Sequence, residues 1–144
     1  MASVSVTQNL PVDPQTAWDN LSNLAEWEKW LSIHQNWKSE LPAQITVGTQ
    51  VTEVVSVMGM ANKIEWTITE LEAPNTVTIE GLGMAGVKIK FVLSVAPADS
   101  GSTATIDADF NGAMIVGPIG KAVAKNAQGD LEKSLATFAE LVAA

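Results

Sequence analysis

From residue 3 to residue 10 polar and apolar side chains alternate. Val4, Val6 and Leu10 fall on one face and Ser3, Ser5, Thr7 and Asn9 on the other, the period-two pattern of a half-buried strand. Pro11 ends it. Asp13 followed by Pro14 reads as an N-cap with proline at the first helical position. Ala17, Trp18 and Leu21 then give residues 14–21 a narrow apolar stripe, which predicts a short helix. A second short helix is predicted over 24–30, where Trp27, Trp30 and Leu31 recur at helical spacing. Residues 33–41 are a strand candidate with Ile33 and Trp37 on one face.

Beyond Gln50 the pattern is β throughout. Val51–Val57 is rich in β-branched residues, and Met58-Gly59-Met60 forms a turn. Ile64, Trp66 and Ile68 oppose Lys63, Glu65, Thr67 and Thr69 within 62–71. Ala73-Pro74-Asn75 is a turn signal, after which Val77 and Ile79 oppose Thr76, Thr78 and Glu80 in 76–81. Gly81–Gly86 is an apolar loop. Val87, Ile89, Phe91, Leu93 and Val95 face one way in the next strand. Asp99-Ser100-Gly101-Ser102 turns the chain into a last strand, where Ala104, Ile106, Ala108 and Phe110 oppose Thr103, Thr105, Asp107 and Asp109. Successive strands with short turns make an antiparallel meander with one apolar and one wet face.

Gly117-Pro118 opens the final element. Ile119, Val123, Ala127, Leu131, Leu135, Phe138 and Val142 recur every three or four residues, which predicts one amphipathic helix of about 25 residues. Lys121, Lys125, Glu132, Lys133 and Glu140 occupy its other face. Gly129 within it costs about 1 kcal/mol relative to alanine. Either close packing against the sheet or a ligand lying on the helix backbone accounts for it.

The class is therefore α+β. A length of 144 residues suits one domain, with no internal repeat or linker. Composition narrows the chemistry. Cysteine, tyrosine and arginine are absent and there is one histidine, while five Trp and five Met supply large apolar side chains. Disulfides and thiolate metal sites are excluded. The net charge of −8 and the small lysine pairs Lys88/Lys90 and Lys121/Lys125 argue against a duplex-binding surface. No basic, apolar leader and no membrane-spanning run is visible. The expectation is a cytoplasmic protein with no nucleic-acid partner, no integral membrane contact and no cofactor, present as monomer or homodimer.

The order of elements resembles the helix-grip fold of the START-like superfamily (SRPBCC, or Bet v 1-like). The opening residues Val4-Ser5-Val6, Val12-Asp13-Pro14-Gln15-Thr16-Ala17-Trp18, Leu21-Ser22-Asn23 and Trp27-Glu28-Lys29-Trp30 resemble its polyketide cyclase/dehydrase-like branch. Asn23 stands where that branch often has aspartate. The resemblance covers the chain from 1 to 144 as one such domain. It implies a bent antiparallel sheet of six to seven strands wrapped around the C-terminal helix, with two short helices after the first strand. It also implies a cavity for a small hydrophobic molecule such as a lipid or polyketide. Some small actinobacterial proteins of this type are labelled toxins of toxin–antitoxin pairs.

In such a topology the loops carrying Met58, Met60, Met84 and Met114 gather at the cavity mouth. They form a gated entrance, a plug folded into the core, or a patch that dimerises. Ile64, Phe91, Phe110, Val123 and Ala127 are candidate wall residues. Trp30, Trp37 and Trp66 are either wall or core, while Trp18 and Trp27 are assigned to the core. His34, a lone imidazole, has no neighbouring metal-ligand spacing, Glu26, Glu28 and Glu40 included. The direction of Glu53 is open, because both faces of its strand carry apolar residues; pointing inward, it is a candidate polar anchor or acid. The leading expectation is binding or transport of a hydrophobic ligand without chemistry. The alternatives are a cyclase/aromatase-like enzyme using Glu53, Asn62 and His34, or a toxin-like interaction module. Cyclases of the family often orient their substrate with Arg or Tyr, and this chain has neither.

Overall fold

Strand alternation that buries one face requires a partner layer, and here one long helix supplies it. The computed structural model describes residues 2–83, 86–99, 101–113 and 115–143. Strand β1 (Ala2–Leu10) leads into helix α1 (Pro14–Leu21), a 3-10 turn (Leu24–Glu26) and helix α2 (Trp27–Trp30). Strands β2 (His34–Trp37), β3 (Gln50–Val57), β4 (Met60–Glu72), β5 (Thr76–Leu82), β6 (Lys88–Ala98) and β7 (Gly101–Asn111) follow, and α3 (Gly117–Ala143) closes the chain. All seven strands form one antiparallel sheet in the order β1-β7-β6-β5-β4-β3-β2.

The caps follow their local chemistry. The Asp13 carboxylate accepts from the Thr16 backbone N–H and, at 2.6 Å, from the Thr16 hydroxyl, which satisfies a free donor at the start of α1. These bonds hold the Asp13 carboxyl below its ordinary pKa. The side chain of Asn23 caps the 3-10 turn by accepting from Ala25 N–H at 3.2 Å. Asparagine thus does the capping work at the position where the branch pattern has aspartate. The predicted helix over 24–30 is split, with a 3-10 turn before a single α turn. The strand predicted over 33–41 shortens to His34–Trp37.

The sheet is curled. Register shifts interrupt the β2/β3 pairing between His34 and Asn36 and the β4/β5 pairing between Ile68 and Glu70, and such bulges bend the bulged strand. The concave face carries Val51, Val55, Ile64, Trp66, Ile68, Val77, Ile79, Phe91, Leu93, Ile106 and Phe110, all buried. Gly81 is the thin point of that face. A Cβ there would lie 2.6 Å from Ile64 Cγ2 and 2.6 Å from Trp66 Cε3, so the indole occupies the room of the missing side chain.

Helix α3 lies chiefly against β1 and α2. Its burial changes steadily along its length. Ile119 is 52% exposed and Val123 8%, whereas Leu131, Leu135 and Phe138 are at 1%, 0% and 0%. A polar pin holds the buried half. Ser134 Oγ accepts from Ser32 N–H at 2.9 Å and lies 2.7 Å from the Asp130 carbonyl, which also accepts from the Ser32 hydroxyl. Gly129 departs from the packing expectation. It sits on the exposed side of the helix, and a Cβ there would meet nothing within 4 Å. Neither sheet nor ligand cavity approaches it.

These two glycines give opposite predictions. Gly129→Ala should raise stability by about 0.5–1 kcal/mol through lower unfolded-state entropy. Gly81→Ala should lower it by about 1–3 kcal/mol, because Ile64 and Trp66 must move. Urea unfolding of both variants measures the contrast.

Candidate functional site

The half of α3 that stands off the sheet leaves a cavity of about 320 Å³. Its walls are Val57 of β3, Met58 of the following turn, Met60, Asn62 and Ile64 of β4, Gly83 and Val87 between β5 and β6, Ile89 of β6, Phe110 of β7, Ile115, and Ile119 and Val123 of α3. None of these side chains is titratable, and Asn62 is the polar one among them. Behind Val57, Phe110 and Val123 lies a void of about 20 Å³ reaching Phe91, Ala127 and Leu131. Phe110 touches Phe91 at 6.4 Å between ring centroids, and Phe91 touches Trp66 at 5.3 Å. A chain of aromatic rings thus runs from Phe110 on the wall back into the core.

The rim is apolar as well. Among the described residues, Met58, Met60 and Ile119 of the wall are 50%, 65% and 52% exposed, and Val116, next to the wall residue Ile115, is 57% exposed. Met58 and Gly59 form the two-residue link between β3 and β4 with φ of +52° and +79°, both positive as in the type I′ hairpin turn. That turn favours asparagine at its first position, and a side chain of methionine's kind pays roughly 1 kcal/mol for the left-handed region. A methionine held there at 50% exposure trades turn stability for an apolar tip.

The residues expected from the sequence divide into groups. Met58, Met60, Ile64, Phe110 and Val123 stand on the cavity wall. Phe91 and Ala127 border the small void behind it. Met84 and Met114 lie outside the described residues. Trp66 and Trp37 border only a 10 Å³ gap deeper in the core. Trp30 packs edge-on against Phe138 at 5.1 Å and against Trp27 at 6.0 Å. Trp30 and Trp37 are therefore core residues at the closed end, and so are Trp18 and Trp27. Sequence reasoning left Val57, Gly83, Val87, Ile89, Ile115 and Ile119 off the candidate wall. The alternation at 87–95 already put Val87 and Ile89 on the inward face; which stretch of that face stays open depends on where α3 lifts away.

Glu53 points inward and is fully buried. Its Oε1 accepts from Trp66 Nε1–H at 2.8 Å, and its Oε2 pairs with His34 Nδ1. The imidazole stacks at a tilt on Trp37, 5.1 Å between centroids. This clamp joins β2, β3 and β4 across the concave face. Glu53 and His34 are not among the residues lining the cavity, although Glu53 stands directly across from the wall residue Ile64 in the β3/β4 register. Asn62 stands across Val55 from His34 in the strand register, and its amide bonds to the Met60 carbonyl. The Glu53–Asn62–His34 cluster expected of an enzyme is thus divided between a sealed clamp and the cavity wall. Among the described residues no group of three or more His, Asp or Glu side chains is placed to hold a metal ion.

Residues 1–143 match the family model described as polyketide cyclase / dehydrase and lipid transport. The chain belongs to this family. An uncharacterised protein of Mycobacterium tuberculosis is 41% identical to it over 141 residues, 98% of this chain and 99% of its own. A second protein of that organism, named as a toxin, is 38% identical over 143 residues and 99% of each chain. Among solved structures, a START superfamily protein from Mycobacterium smegmatis superposes with a TM-score of 0.80 over 99% of each chain at 18% identity. The helix-grip arrangement of this family member is the one the resemblance implied: a curled seven-stranded sheet, a long C-terminal helix, and short helices after the first strand.

Substitutions at two positions separate clamp from rim in this family member. Glu53→Ala leaves the indole and imidazole donors buried without an acceptor, and should cost about 2–5 kcal/mol in urea unfolding. Glu53→Gln restores one acceptor and should recover part of that loss. Met58→Asn should instead raise stability, by about 0.5–1 kcal/mol, because the turn then carries its preferred Asn-Gly pair.

Proposed function

We propose that the chain binds and carries a small, uncharged, hydrophobic molecule in the cavity between the curled sheet and the first half of α3, and performs no chemistry on it. The observation that carries this reading is the lining: about 320 Å³ of space with largely apolar walls, no titratable group among the described lining residues, and an exposed apolar rim. Apolar cavities with few polar groups are the usual form of small-molecule sites. The lipid-transport part of the family description supports the same reading. The candidate acid and base of a cyclase-like enzyme, Glu53 and His34, are engaged with each other and are not among the lining residues. That engagement weighs against catalysis.

The protein acts, in this reading, as one START-like domain of the cytoplasm, as a monomer or homodimer, with no nucleic acid and no cofactor. Its net charge of −8 supports the exclusion of nucleic acid. Among the described residues no helix is long and apolar enough to cross a membrane. A second reading, a toxin-like interaction module, is favoured by the exposed rim, since contiguous exposed apolar side chains also mark protein contacts. The relative named as a toxin supports it.

Native mass spectrometry of protein purified from its own host, followed by solvent extraction, tests the carrier reading. The expected result is a bound small molecule that is released on denaturation. Val123→Trp should fill the cavity, keep the native circular dichroism spectrum and reduce the bound fraction at least tenfold. An empty wild-type cavity, together with an obligate protein partner recovered at 1:1 stoichiometry, would replace the carrier with the interaction module.

A further inference from the structure

Among the described residues the cavity wall has one polar side chain, Asn62, and its hydrogen bonding is half complete. Asn62 lies on the inward face of β4, two residues from Ile64 and one strand across from Val55. Its Nδ2 donates to the Met60 carbonyl at 3.2 Å. A carbonyl oxygen requires a donor, so this bond fixes which end of the amide is nitrogen. Oδ1 is left with two lone pairs and no hydrogen bond among the described residues. The remaining walls, Ile64, Val87, Ile89, Phe110 and Val123 among them, offer no side-chain hydrogen bonding at all.

We propose that Asn62 determines the class of cargo: an amphiphile whose apolar body fills the cavity and whose hydroxyl, near the mouth, donates to Asn62 Oδ1. This rests on the carrier reading and adds to it a ligand chemistry and an orientation. An acceptor on an apolar wall discriminates by what it leaves unpaired. A ligand with a hydroxyl satisfies it, whereas a ligand of the same size without a donor strips water from Oδ1 and returns nothing. Size follows from volume. A volume of about 320 Å³ suits a short chain or a single ring. Charge is excluded on the same grounds, because the described walls carry no counter-ion and burying an unpaired charge is costly.

The test uses two isomers of identical formula, 1-nonanol and 1-methoxyoctane, which differ only in possessing or lacking a hydroxyl donor. Affinities are read from methyl NMR titrations of the wild type and of Asn62→Leu. Asn62 is partly exposed and Met60 is 65% exposed, so the variant retains its fold; the unligated spectrum checks this. The expected result is that the ratio of alcohol to ether affinity falls about fivefold from wild type to Asn62→Leu, the worth of one hydrogen bond. The Asn62 side-chain amide signals should move with the alcohol and not with the ether. An unchanged ratio with both probes bound would overturn the role of Asn62 and leave the carrier reading intact. Failure of both probes to shift the wild-type cavity methyls would overturn the carrier reading itself.

Discussion

A straight helix cannot follow a curled sheet along its whole length, and the molecule is organised by where that contact is made and where it is given up. Helix α3 has 27 residues, about 40 Å at helical rise. Its second half is pressed into the core by Leu131, Leu135 and Phe138 and pinned through Ser134 to Ser32. Ser32 lies between α2 and β2, so the pin joins the helix to the closed end of the grip. In the first half Ile119 and Val123 face the gap between helix and sheet. The cavity is thus the geometric remainder of a packing problem solved at one end.

The polar clamp of Glu53, His34 and Trp66 is the sheet's counterpart to that pin. A buried carboxylate is tolerated only with its hydrogen bonds made, and two neighbours supply them. The short strand β2, at the sheet edge, is fastened to β3 by the same group that fastens β4. With the lone histidine and the buried glutamate engaged with each other, and with no cysteine, tyrosine or arginine in the chain, the cavity is left with amide and hydrocarbon. In the proposed reading its chemistry is recognition by shape and by one hydrogen bond.

Much of this was legible in the sequence, because it follows from period. Alternation at 62–71, 87–95 and 103–110 assigned the inward faces correctly, and the three-four spacing from Ile119 to Val142 assigned the helix stripe. The Asp13-Pro14 cap was equally plain. The direction of Glu53 was not, since its strand carries apolar residues on both sides and only the tertiary partners His34 and Trp66 decide it. Nor could spacing separate Trp30 and Trp37, which fill the closed end, from Phe110, which borders the cavity. All are large apolar residues on inward faces, and the difference lies in how far α3 stands from each. Gly129 shows the converse: a residue type that invites a packing explanation occupies open space.

Hydrogen exchange along α3 tests the central claim most directly, because local opening reports how firmly each segment is packed. Amides of residues 119–127 should exchange through low-energy opening and slow markedly when 1-nonanol is added. Those of 131–142 should exchange only with global unfolding and respond only as global stability does. Uniform protection from 119 to 142, unaltered by the alcohol, would contradict the account.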